Sequence, residues 1–172
     1  MIRFVTLFCF ICIALAGAVS PSVAQALKNL GVNGKWTAYT FMDGKNKVCY
    51  MASAPVKQQG KYKKRGQPYA LITNRPASKS KAEVNFVAGY TFKKDALVKV
   101  TIGNQTFELF STEGRAWSPD AQADAKLVKA MIRGSRMVVR GVSSRGTKTT
   151  DSYSLSGFTA TKKLIDRACK SK

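Results

Sequence analysis

The chain has 172 residues, 29 lysines and arginines against nine aspartates and glutamates, and no histidine, for a formal net charge of +20. The missing histidine excludes serine–histidine and cysteine–histidine catalysis and removes the commonest zinc ligand. The carboxylates are scattered from Asp43 to Asp166 without the dense oxygen cluster of a calcium loop, so no metal or cofactor is expected.

The N-terminus reads as a secretory signal. Arg3 precedes the apolar run Phe4–Val19, broken only by Thr6, and Ala24-Gln25-Ala26 places small residues at cleavage-site spacing. The run is short for a bilayer span, which takes ~20 apolar residues. Ala16-Gly17-Ala18 is a competing cleavage site, and an uncleaved anchor is the alternative reading. Cleavage after Ala26 divides the chain into a signal peptide, residues 1–26, and one domain, residues 27–172, long enough for its own core and without a transmembrane segment. It also removes Cys9 and Cys12 and leaves Cys49 and Cys169. An exported pair of cysteines in an oxidising compartment predicts a disulfide. Closing a loop of roughly 120 residues stabilises by about 4–5 kcal/mol in the chain-entropy model.

Beyond the signal, short strands dominate. Lys35–Phe41 alternates, with Trp36, Ala38 and Thr40 on one face, and Asp43-Gly44 turns the chain into Asn46–Ala52. Lys57–Gly66 is polar, basic and flanked by glycine, hence a loop or extended edge. Gln67–Asn74 is a strand ended by Arg75-Pro76. Ala77–Lys81 is a linker, and Glu83–Tyr90 resumes the strand pattern. Leu97–Phe110 reads as a hairpin about Gly103-Asn104. Ser118 as N-cap and Pro119 at the first helical position open a helix that closes at Arg133-Gly134. Asp120 and Asp124 share one side of it and suit the positive end of its dipole. Strands follow at Arg136–Val142 and Thr147–Leu155, turning at Ser144–Gly146, before a terminal helix over Thr159–Cys169. The expected fold is mostly β: a single antiparallel β-sandwich-like domain with one central and one C-terminal short helix.

Charge carries the functional reading. Lys57 to Lys81 holds eight cations and no acid, among them Lys61, Lys63, Lys64 and Arg65 in Gly60–Gly66, "GKYKKRG". A second acid-free run, Ala125 to Thr150, carries Arg140, Arg145 and Lys148. Such fields capture polyanions. In an exported protein the expected partner is an anionic envelope or host surface, or an acidic protein, with nucleic acid disfavoured. Tyr62 and Tyr69 are candidates for stacking on bases or sugars. The competing reading is a solvated surface that guards a sheet edge. Ser78–Lys81, "SKSK", formally matches the S-x-x-K of some acyl-transfer enzymes, but its surroundings lack the apolar helical face that desolvates such a lysine.

Gly34–Thr40 ("GKWTAYT"), Val48–Ser53 ("VCYMAS"), the aspartate-bearing helix followed by "GSRMVV", and the closing "YSLSGFTA" come in an order and spacing that resembles the invasion-associated locus B family of exported alphaproteobacterial proteins. The likeness runs from about Gly34 to Cys169. It implies a periplasmic or secreted β-rich domain, linked in some members to host-cell invasion, with no established catalytic activity. Many relatives have a cysteine in a W-x-x-x-C pattern where this chain has Thr40, so the Cys49–Cys169 pairing is not carried over from them. The combined expectation is a non-catalytic, virulence-associated envelope or host-interaction protein that binds anions through Lys61, Lys63, Lys64, Arg65, Arg140, Arg145 and Lys148. The alternatives are a small exported hydrolase with a serine–lysine pair and a purely structural periplasmic protein.

Overall fold

The structure, a computed structural model, describes residues 26–170. The signal-peptide assignment lies, but for Ala26, outside the described residues.

Eleven strands and two helices follow in chain order. The strands are β1 (Lys28–Asn33), β2 (Trp36–Asp43), β3 (Asn46–Ser53), β4 (Lys57–Gln59), β5 (Tyr69–Arg75), β6 (Ser80–Val87), β7 (Val98–Ile102), β8 (Gln105–Thr112) and β9 (Arg115–Trp117). Helix α1 (Ala121–Arg133), β10 (Arg136–Val142), β11 (Lys148–Ser154) and helix α2 (Phe158–Ala168) complete the domain. All pairings are antiparallel, and hydrogen bonds link the strands in the order β1-β2-β3-β5-β6-β9-β8-β7-β10-β11-β4.

That single sheet curls on itself. Gln105–Leu109 of β8 pairs with β7, while Phe110–Thr112 of the same strand pairs with β9. Strands far apart in the order therefore meet. The Trp36 indole on β2 donates to the Ser154 carbonyl on β11 at 2.9 Å, and the Phe86 and Tyr153 rings lie 6.2 Å apart. The sandwich-like, mostly antiparallel architecture expected from the alternation is thus present as two halves of one sheet.

The core lies between them. Trp36, Met51, Ile72 and Phe86 come from one half, Val100, Leu109, Met137 and Tyr153 from the other, and Leu127, Met131, Phe158 and Ile165 from the helices. The Trp36 and Phe158 rings meet edge to face at 5.0 Å. A disulfide joins Cys49 on β3 to Cys169 at the end of α2, with Cα atoms 5.9 Å apart, as the cysteine count predicts.

Three strands escape the alternation pattern. In β1 the register shifts between Asn29 and Gly31, a bulge that breaks the two-residue period. Strands β4 and β9 have three residues each, too few to show a period. The N-cap of α1 is Asp120 rather than Ser118: its carboxylate accepts from the Ala123 N–H at 2.7 Å, and Pro119 precedes the cap instead of following it. An aspartate there satisfies a free helical donor and adds a favourable charge–dipole term. Asp124, on the same helix, is buried. Beyond the point where β9 stops pairing with β6, it accepts the Val84 N–H at 3.0 Å and so seals an open stretch of sheet. Burial raises its pKa, against the lowering effect of that backbone donor. In α2 the inward side chains are Phe158, Thr161 and Ile165, whereas Ala160 is exposed.

Candidate functional site: a basic cleft at one end of the sheet

The segment from Gly60 to Gly66 forms a strap. It leaves β4, whose residues pair with β11 (Gln58 opposite Asp151), and crosses toward β5. Gly60 has φ +151°, and a Cβ there would meet the Lys148 carbonyl at 2.9 Å. At the far end the Gly66 N–H donates to the Gly89 carbonyl at 2.8 Å. Gly89, at φ +74°, has its Cα turned directly onto the Gly66 carbonyl, so only a residue without a side chain permits this crossing.

Arg65 anchors the strap. Its Nη1 and Nη2 donate to the two carboxylate oxygens of Asp151 at 2.8 and 2.5 Å, and its Nε donates to the Ala88 carbonyl at 2.7 Å. The Arg65 and Asp151 side chains are 2 % and 6 % exposed, so solvent scarcely screens this bidentate pair. Its guanidinium also lies over the rings of Tyr62 and Tyr90, at 5.5 and 5.0 Å from their centroids. Burial works to lower the Arg65 pKa, but the Asp151 carboxylate outweighs it and the net shift is upward. Burial raises the Tyr90 hydroxyl, while the Thr149 hydrogen bond and the neighbouring guanidinium pull it back. Tyr90 holds its place through a 2.6 Å hydrogen bond between its hydroxyl and that of Thr149 on β11.

The β10–β11 turn faces the strap. The Ser143 N–H donates to the Thr147 carbonyl at 2.9 Å, and the Ser143 hydroxyl accepts from the Thr147 N–H at 3.1 Å. The Ser144 N–H donates to Thr91 at 2.8 Å, pinning the turn to the segment after Tyr90. Strap and turn enclose an open cleft of about 600 Å³. Its cations are Lys61, Lys63, Lys64 and Arg65 from the strap and Arg145 from the turn; Tyr62, Tyr90, Ser144, Thr147 and Thr149 are among the other residues that line it. No carboxylate lines it. Among the described residues, the ion pairs are Arg65–Asp151, Lys99–Glu108 and Lys162–Asp166, so the side chains of Lys61, Lys63, Lys64 and Arg145 have no acidic partner.

The other sequence candidates sit elsewhere. Arg140 lies on β10, opposite Lys99 and Thr150, with its Nη1 3.5 Å from the Thr101 hydroxyl. Lys148 is exposed at the start of β11 and does not line the cleft. Five of the seven cations therefore converge, and one of the five, Arg65, is committed to Asp151. The hydroxyl of Ser78, in the exposed 3₁₀ turn Pro76–Ser78, donates to the Arg75 carbonyl at 3.3 Å, and Lys81 is also exposed. That is not the desolvated lysine that serine–lysine chemistry requires. Among the described residues no group of three or more metal-ligating side chains occurs, and no helix is long and apolar enough to cross a membrane.

Sequence reasoning passed over Asp151, Tyr90 and the Ser143–Thr147 turn as parts of a site. One signal was available: in "TKTTDSYSL" the inward face is Thr149, Asp151 and Tyr153. A carboxylate at an inward register needs a buried cation from elsewhere in the chain.

The family model for the invasion associated locus B (IalB) protein matches residues 36–166, a stretch that contains the strap, the turn and every residue of the cleft. Comparison with curated proteins and with solved structures returned no match.

Proposed function

The chain belongs to the invasion associated locus B family, and from that premise we propose that it is an exported, non-catalytic binding protein that captures anionic groups of an envelope or host surface in the basic cleft. The observation that carries this reading is the convergence of two distant segments on one cavity. Gly60–Gly66 and Ser143–Thr147 both line it, four of their cations lack acidic partners among the described residues, and the Asp151 carboxylate behind the strap is paired with Arg65. A disulfide and the lack of a membrane-crossing helix among the described residues are compatible with export.

The division of labour is physical. Arg65 holds the strap in place from below, and Lys61, Lys63, Lys64 and Arg145 supply the field. An exposed cation–anion contact contributes about 0.2–1 kcal/mol. Four such contacts give about 1–4 kcal/mol, which corresponds to millimolar affinity or weaker for one bare anion. Useful capture at physiological salt, where the Debye length is ~8 Å, therefore needs an anion seated in the cleft and not merely near it.

The test uses oxidised mature protein with vesicles bearing phosphate-rich headgroups, neutral vesicles and DNA as comparators, and the Lys61/Lys63/Lys64/Arg145 quadruple-alanine variant. Saturable binding to the phosphate-rich vesicles at physiological salt, lost in the variant, is the expected result. Equal, weak binding to every anion that fades at that ionic strength contradicts it.

A further inference from the structure

A bare anion leaves most of the cleft unused. About 600 Å³ is far more than one phosphate occupies and lies within the range of small-ligand sites. The walls also carry more than charge. Tyr62 is 36 % exposed although the Arg65 guanidinium lies over one side of its ring, and Ser144 and Thr147 line the same cleft from the β10–β11 turn. An aromatic ring and hydroxyl-bearing residues in one cleft suit a sugar ring, whose C–H face packs on an aromatic plane while its hydroxyls exchange hydrogen bonds with polar side chains. Lys61, Lys63, Lys64 and Arg145 approach from two segments, an arrangement that matches the several oxygens of a tetrahedral phosphoryl group better than the two coplanar oxygens of a carboxylate.

We propose that the cleft is a stoichiometric site for a phosphorylated sugar: phosphoryl group among Lys61, Lys63, Lys64 and Arg145, sugar ring against Tyr62, sugar hydroxyls toward Ser144 and Thr147. The proposal rests on the anion-binding reading above and specifies its ligand. The same chemistry is carried by a soluble sugar phosphate and by the phosphorylated saccharide headgroup of a glycolipid. Arg65 and Tyr90 are positioning residues: they hold Tyr62 and the strap, and Asp151 keeps the Arg65 charge out of the ligand balance.

Calorimetric titration of the oxidised mature protein with glucose 1-phosphate, inorganic phosphate, glucuronate and glucose tests this. The expected result is one site per chain, with glucose 1-phosphate at least about tenfold tighter than inorganic phosphate, a margin of about 1.4 kcal/mol. Glucuronate should bind more weakly and glucose undetectably. Tyr62→Ala should erase the margin, with an unchanged thermal midpoint reporting that the fold is intact; Tyr62→Phe should keep it. Competition by glucose 1-phosphate against vesicles bearing phosphorylated saccharide headgroups would place the headgroup in the cleft. Lack of competition, with glucose 1-phosphate still bound, would identify the soluble sugar phosphate as the occupant. Equal affinities for glucose 1-phosphate and phosphate, or for glucuronate and glucose 1-phosphate, would overturn the proposal and leave the anion-binding reading standing. So would lysine-dependent vesicle binding without saturable binding of any small probe. Failure of vesicles and small probes alike would overturn both.

Discussion

Replacing Arg65 with methionine is the sharpest structural perturbation available at the cleft. The variant keeps an unbranched side chain of similar length but deletes three charge-assisted hydrogen bonds: two to Asp151, at 2.8 and 2.5 Å, and one to the Ala88 carbonyl, at 2.7 Å. It leaves the Asp151 carboxylate, 6 % exposed, without its cation beside the buried Tyr153. Removing one partner of a buried pair costs about 3–5 kcal/mol, because the remaining charge stays desolvated. Domains of this size have a total stability of about 5–15 kcal/mol. At about 2–4 °C per kcal/mol, the midpoint of thermal unfolding should fall by roughly 6–20 °C. Urea unfolding followed by the fluorescence of Trp36 and Trp117 measures the loss directly, and an unchanged m-value would assign it to the folded state. The double replacement Arg65→Met with Asp151→Leu removes both charges and should recover most of the loss, since apolar substitutes for a buried pair are often neutral or stabilising. A single variant that loses under ~1 kcal/mol, or a double variant no better than the single, would refute the assignment of Arg65 as a buried anchor.

Three further outcomes follow from the same structure. Gly89→Ala forces a Cβ into the Gly66 carbonyl at a backbone φ of +74°, so it should lift the strap, lower stability by more than about 1 kcal/mol, and weaken anion binding in the vesicle assay. Reducing Cys49–Cys169 should cost about 2–5 kcal/mol, and amide exchange should rise first across α2, whose end the bond secures to β3. Asp124 tests the sign of a pH effect. Burial raises its native pKa above its ordinary value, so the native state loses stability as pH rises from the unfolded pKa through the raised native one, and the cost vanishes as pH falls back to the unfolded value. Asp124→Asn, which keeps an acceptor for the Val84 N–H, should therefore gain on the parent protein at neutral pH, and the gain should shrink on acidification. Asp124→Ala leaves that N–H bare and should lose about 1–3 kcal/mol; a gain for Asn that grows toward low pH would contradict the pKa direction.

How much was legible in the sequence depended on the range of the interactions. Trp36, Ala38 and Thr40 face the core because a two-residue period fixes a face locally, and Gly103-Asn104 closes a hairpin from its own backbone preferences. The disulfide followed from compartment and count. By contrast, β4 and β9 exist because they complete ladders offered by β11 and β6, which no three-residue window displays. The cleft was half legible: "GKYKKRG" marked its strap, and the second basic run contained Arg145. Which cations share a cavity depends on how the sheet curls, and that curl moved Arg140 and Lys148 off the wall. The fate of Arg65 depended on Asp151, 86 residues away, a pairing that charge counting treats as two exposed ions.

The proposed anion site is a defined cleft and not a diffusely basic surface. Backbone NMR of the isotope-labelled, oxidised protein, titrated with glucose 1-phosphate at physiological salt, tests this residue by residue. Saturating shift changes should be confined to Gly60–Gly66, Gly89–Thr91 and Ser143–Thr149, with Arg136, Arg140 and the exposed cations of α1 unmoved. Linear, unsaturated changes spread over Lys99, Arg136, Arg140 and α1 as strongly as over the strap would show that the net charge of +20, and not the cleft, attracts the anion.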